Sequence, residues 1–174
     1  RRAGNLREYR AWQLAREDRE AYRQASVDMQ EKLFAASIRE ARAGAKIIVW
    51  SEISPVVAAE DEEDFLHRAR ETARLEGVYL VAAPLIDYTG SERPDENKMF
   101  IISPDGEIIL THYKYGGNLF EGTVKGDSVL RTVDTHYGRL SGVICWDQDF
   151  PHIMNQSGRN NTDIMLAPNA DWRE

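Results

Sequence analysis

Cys145 is the only cysteine of the chain. It stands where the apolar run Gly142-Val143-Ile144 breaks into Trp146-Asp147-Gln148-Asp149-Phe150-Pro151. A buried strand that ends on a lone thiol presents it at the rim of a sheet, a place to look for a nucleophile. Taken alone, the residue reads more readily as an inert core thiol, because free cysteine behaves as a small hydrophobe. Two further residues change that reading. Glu52 follows the apolar run Ile47-Ile48-Val49-Trp50, and Lys114 follows a run that ends at Tyr113. Alone, the glutamate reads as a solvated loop residue and the lysine as a snorkelling one. Together, three strand-end groups make a working set for acyl transfer. A carboxylate takes the thiol proton as general base and returns it to a leaving amine. The thiolate attacks a carbonyl to form a thioester. The ammonium lowers the thiol pKa and stabilises the oxyanion of the tetrahedral intermediate. No histidine is required, and none of His67, His112, His136 and His152 has sequence context suggesting a triad.

The elements that must position these groups follow from periodicity. Residues 5–43 read as helix, with Leu33, Phe34, Ile38 and Ala41 on one face and Gly44 as the stop. Its first part, residues 1–22, is polar enough to be a separate exposed helix or a frayed arm. Lys46–Ser51 reads as a strand buried on both faces. Glu62, Glu63 and Asp64 load the first turn of a second helix, complementing its dipole. Phe65, Leu66, Ala69 and Ala73 form the buried side of that helix, and Gly77 ends it. Val78–Pro84 is the next strand, and residues 87–96 read as a polar loop. Lys98–Ser103 and Glu107–Tyr113 form a hairpin on Pro104-Asp105-Gly106. Residues 116–128 read as an irregular loop of functional length carrying Glu121. Val129–Val133 and Arg139–Ile144 are further strands, a short helix follows Pro151, and Asp163–Ala167 is the last strand. Helices and strands interleave, with a hairpin inserted, so the fold class is α/β with a mixed sheet.

A length of 174 residues suits one domain, and the net charge of −7 argues against a nucleic-acid surface. The arginines near the start are interleaved with Glu and Asp and read as a solvated face. One cysteine excludes an internal disulfide. There is no apolar run of membrane-span length and no signal peptide. No metal site is expected, since no His or Cys pair stands at ligand spacing, and no cofactor, since no glycine loop could cradle phosphate. The chain begins at Arg1 rather than Met, as a piece of a longer protein would.

From about Leu33 onward, three motifs in order resemble the carbon–nitrogen hydrolase (nitrilase) superfamily. They are Ile48-Val49-Trp50-Ser51-Glu52, His112-Tyr113-Lys114 and Gly142 through Pro151. The resemblance implies an α-β-β-α sandwich. It makes Glu52 the base, Lys114 the oxyanion stabiliser and Cys145 the nucleophile. By the same match Glu121 positions the lysine, and the Trp146 N–H is an oxyanion donor. It also implies that 1–174 is one partial domain, short of an opening strand and of several elements after the cysteine. Trp50 and the ending Asn169-Ala170-Asp171-Trp172 look most like the apolipoprotein N-acyltransferase branch. That branch would use a phospholipid as acyl donor and a lipoprotein amine as acceptor. Membrane spans outside this chain would hold the domain on the outer side of the cytoplasmic membrane. Two alternatives stand beside it. One is a soluble, cytoplasmic amidase or nitrilase-like hydrolase taking a small amide, with water as acceptor. The other is a catalytically silent binding domain of the same fold. Homo-oligomerisation is left open.

Overall fold

Helix α1, Arg19–Arg42, starts where the Asp18 carboxylate accepts the Ala21 N–H and ends with Arg39 and Arg42 in the last turn, which complements its dipole. It is polar for a packed helix. Its seam is narrow: Tyr22, Ser26, Gln30, Phe34 and Ser37 follow one another at spacings of three and four residues and are all buried. The computed structural model of the chain describes residues 17–170. The expected arm therefore lies mostly outside the described residues, and its last part is not an exposed arm. Tyr22 is core, and Arg19 pairs with Glu60 and Asp87. Helix α2, Glu62–Glu76, carries its three carboxylates in the first turn and stops at the left-handed Gly77, as expected.

Nine strands occur among the described residues: β1 (Ile47–Val49), β2 (Val56–Ala58), β3 (Tyr79–Ala82), β4 (Leu85–Asp87), β5 (Glu96–Ile102), β6 (Ile108–Tyr113), β7 (Thr132–Thr135), β8 (Gly138–Gly142) and β9 (Ile164–Leu166). β3 and β4 lie end to end along one edge of β5, antiparallel to it. β6 takes the other edge through the expected hairpin. β1 and β2 complete that sheet, parallel to β3 and β4. A second sheet pairs β7 antiparallel and β9 parallel to β8.

Alternation decides which layer each side chain joins. Leu80, Ala82, Phe100 and Ile102 face the helices and pack with Phe34, Trp50, Phe65 and Ala69. Tyr79, Val81, Met99 and Ile101 point the other way and meet Leu140, Ile144 and Leu166 of the second sheet. Short helices α4 (Pro151–Met154) and α5 (Gln156–Arg159) follow the cysteine segment. Ile153 and Met154 of α4 pack with Val143 and Met165. The architecture is an α-β-β-α sandwich with mixed sheets. Lys98 pins the layers from the helix side, buried between Glu62 of α2 at 2.6 Å and Glu96 at 2.5 Å.

Several expectations need correcting. β1 is not buried on both faces; it ends the sheet, and Val49 is 43% exposed. β2 and β4, three residues each, were not expected; only Asp87, the last residue of β4, falls in the stretch read as a loop. Residues 129–131 precede the strand rather than open it. The loop at 116–128 contains a single turn of helix, α3 (Asn118–Glu121).

Candidate active site

The first sheet delivers Glu52 and Lys114, the second delivers Cys145, and all three arrive at the same place. Glu52 lies just past β1, where the Trp50 N–H still bonds to Val81. Lys114 continues β6, its N–H bonding to the Asn97 carbonyl. Leu110, His112 and Lys114 are all buried, so the period of the strand carries the lysine inward on the same face as the core. Cys145 opens a 3₁₀ turn, Cys145–Asp149, three residues beyond β8. Its backbone has φ 44°, the left-handed region that residues with a Cβ avoid. The Pro168 carbonyl accepts its N–H at 2.9 Å.

Glu52 is the hub. Its Oε1 accepts from Lys114 Nζ at 2.6 Å and from Asn97 Nδ2 at 2.9 Å, and its Oε2 accepts the Ala170 N–H at 3.1 Å. The Cys145 thiol lies within the electrostatic reach of the same carboxylate. Lys114 Nζ also donates to Glu121 Oε1 at 2.7 Å, from the one-turn helix α3. One ammonium therefore serves two carboxylates, in a site where Glu52 and Lys114 are almost fully buried. Burial alone would lower the lysine pKa, but the bonds to Glu121 and Glu52 outweigh it and the pKa is raised. The ammonium form is secured.

For the thiol, the balance falls the other way from the expected one. Burial pushes Cys145 up, and the charge of Glu52 adds to that. Lys114 and the Ala170 N–H pull back only in part, leaving the thiol at about 11. The lysine does lower the thiol pKa, as read from sequence, but it is outweighed. At rest the sulfur keeps its proton and needs a base to lose it.

A third carboxylate, Asp147, fixes the two chain segments relative to each other. It is fully buried. Its Oδ1 accepts the Tyr115 and Gly116 N–H groups at 2.9 and 2.8 Å. Its Oδ2 accepts the Ile144 N–H at 3.0 Å and pairs with His112 Nε2 at 2.7 Å. The carboxylate thus clamps the residues on either side of Lys114 to the turn that holds Cys145. Sequence reasoning missed Asp147, His112 and Asn97. Strand alternation could have found two of them: His112 shares a face with Lys114, and Asn97 shares one with Met99 and Ile101.

Trp146, next to the thiol, is 37% exposed and stacks on Phe120 with ring centroids 6.1 Å apart and planes at 23°. Gly117 lies against this ring. A Cβ there would come within 2.9 Å of Trp146 Cε3 and 2.8 Å of Glu121 Oε1, and φ is +80°.

This arrangement can move a proton between a thiol and a carboxylate beside a fixed positive charge. Comparison with known proteins bears on the fold and the family. A crystal structure of an amidase from Nesterenkonia sp. superposes with a TM-score of 0.72 at 21% identity, over 86% of this chain and 61% of that one. A hydrolase of Schizosaccharomyces pombe is 30% identical over 86 residues, 42% of this chain and 26% of the relative. A nitrilase of Penicillium rubens is 26% identical over 110 residues, 61% of this chain and 33% of the relative. The chain thus spans about a quarter to a third of these two relatives. The model of the carbon-nitrogen hydrolase family matches residues 12–174, nearly the whole sequence, and the chain belongs to that family.

Proposed function

We propose that Glu52, Lys114 and Cys145 are the catalytic residues of an amidase-type hydrolase that cleaves a carbon–nitrogen bond through a thioester. The observation that carries this reading is the buried Glu52 carboxylate, bonded to the Lys114 ammonium at 2.6 Å and close enough to the protonated thiol for its charge to act on it. In the first half-reaction, Glu52 takes the thiol proton as sulfur attacks the amide carbonyl carbon. The oxygen becomes an oxyanion, held by the Lys114 ammonium and the Trp146 N–H. The intermediate collapses, the C–N bond breaks, and Glu52 returns the proton to the departing nitrogen, which leaves as ammonia or an amine. In the second, Glu52 takes a proton from water, hydroxide adds to the thioester, and the acid is released with the proton back on sulfur. Glu121 is a positioning residue that keeps the ammonium in place.

The N-acyltransferase reading shares the first half-reaction and differs in the acceptor. Its sequence markers have other work here. Trp50 is 4% exposed, packs on Phe34 and Phe65, and donates to Ser37 Oγ at 2.9 Å. The Asn169 side chain accepts from Gln148 at 3.0 Å, and Asp171 and Trp172 lie outside the described residues. No helix among the described residues is long and apolar enough to cross a membrane. The amidase and nitrilase relatives support water as the acceptor and a small amide as the donor.

The test is intact-protein mass spectrometry after mixing with a small primary amide. An acyl mass should appear on Cys145 and decay as acid and ammonia form. Lys114→Met should slow adduct formation on the order of a hundredfold, the scale for losing an oxyanion donor. No adduct from any amide, or equal rates in the wild type and Lys114→Met, would overturn the proposal.

A further inference from the structure

Asn97 of β5 is fully buried, yet its side-chain amide is only half satisfied. Nδ2 donates to Glu52 Oε1 at 2.9 Å, and Oδ1 accepts nothing among the described residues. The opposite orientation of the amide would set Oδ1 against a carboxylate oxygen, so the bond to Glu52 decides which way it points. An unmade buried acceptor is destabilising, and a leucine of the same shape would avoid it. The fold alone therefore gives no reason for an asparagine at this position. Its neighbours supply one. The Asn97 carbonyl accepts the Lys114 N–H at 2.9 Å, while its amide reaches Glu52, 45 residues away in sequence. One residue of β5 thus holds the lysine through its backbone and the glutamate through its side chain.

The donors on Glu52 show what that hold does. Each oxygen of a carboxylate has two lone pairs to offer. Those of Oε1 are both taken, by Lys114 Nζ at 2.6 Å and Asn97 Nδ2 at 2.9 Å. Oε2 has the Ala170 N–H at 3.1 Å and one lone pair left over. Resting on the catalytic reading above, we infer that Asn97 is a positioning residue, which occupies Oε1 and so turns Oε2 towards the thiol as the base. As the Cys145 S–H bond breaks, its proton goes to Oε2, and the same oxygen later hands it to the departing nitrogen. With Asn97 gone, Oε1 keeps only the lysine. The carboxylate is then freer to rotate about Cγ–Cδ, a torsion with a broad, two-fold profile. Time spent in other orientations is lost to proton transfer.

The experiment follows acylation by propionamide, using rapid mixing and intact-protein mass spectrometry, in the wild type, Asn97→Leu and Asn97→Asp. In Asn97→Leu the rate at saturating amide should fall on the order of a hundredfold, the scale for a catalytic group displaced by about 1 Å. The amide concentration giving half that rate should stay the same, because the fully buried Asn97 makes no contact with the amide. Asn97→Asp supplies a second signature, which stands even where the leucine variant does not fold. The introduced carboxyl donates to Glu52 only when protonated, and burial beside another carboxylate favours that form. The rate of Asn97→Asp relative to the wild type should therefore climb several-fold as pH falls from about 8 to about 6. A wild-type rate in Asn97→Leu, or a flat Asn97→Asp ratio, would overturn the positioning role and leave the thioester chemistry standing. A loss carried by the half-saturating concentration would mark a structural defect and overturn it too. If the wild type forms no thioester with propionamide or any other small amide, the catalytic reading fails and the positioning role fails with it.

Discussion

Asp147 Oδ2 and His112 Nε2 meet at 2.7 Å across 35 residues of sequence, with both side chains buried. This contact joins the strand that carries the lysine to the turn that carries the thiol. The two catalytic candidates come from different sheets, so without such a tie their separation would follow every shift of one sheet against the other. Asp147 adds three backbone N–H bonds to the histidine contact, so its carboxylate acts as a rivet through the site.

Asp147→Ala would leave His112 and three backbone donors buried without an acceptor. Unmade buried bonds of this kind cost about 1–3 kcal/mol each and are not additive. A loss of about 3–5 kcal/mol is expected for the whole change, as for a broken buried pair. Equilibrium urea denaturation checks this, and a loss under 1 kcal/mol would contradict the clamp.

The thiol has a testable pH profile. Alkylation by iodoacetamide follows the thiolate, so its rate near neutral pH should lie below that of a free cysteine and climb towards a midpoint near 11. Glu52 raises the thiol pKa and Lys114 lowers it, so the midpoint should move down in Glu52→Gln and up in Lys114→Met. The native state holds this proton more tightly than the unfolded chain does. Its stabilising contribution is therefore present below the ordinary thiol value and is lost as pH rises through about 11. A rate already at its plateau at pH 8 would show the balance of charges to be misjudged.

Lys98 provides a matched control. It too is a buried ammonium between two carboxylates, Glu62 and Glu96, but it faces the helices. Lys98→Met should destabilise the fold by about 3 kcal/mol, because two partly buried carboxylates lose their partner. It should leave the alkylation midpoint of Cys145 where it was. Comparing it with Lys114→Met by denaturation and alkylation separates loss of a buried charge from loss of the charge at the sulfur.

Glu52, Lys114 and Cys145 were legible because each stands at a break from apolar to polar residues, and a strand end is a property of sequence. Helix α2 was legible down to its stop at Gly77, since both its face and its ends carry local signals. Strands β2 and β4 were not, because three residues hold too little alternation to distinguish a strand from a loop. The exposure of Val49 depends on β1 ending the sheet, which no local pattern encodes. Tyr22 escaped because its seam on α1 includes Ser26, Gln30 and Ser37, polar residues that bond within the core. Asp147 escaped for a related reason: its partners are mostly backbone N–H groups, and those have no signature in sequence. The direction of the thiol shift depends first on burial and then on the Glu52 carboxylate beside the sulfur, and only the fold supplies both.

The left-handed backbone at Cys145 sets the interests of the fold against those of the chemistry. A residue with a Cβ held at φ 44° is less stable there, by about 1–2 kcal/mol, than glycine would be. Selection for stability alone would discard the thiol at this position and keep a glycine. On the catalytic reading proposed above, the thiol's chemistry is what sets a cysteine against that strain. Among relatives of this chain, those with glycine at the corresponding turn are the ones to suspect of having given up catalysis for binding.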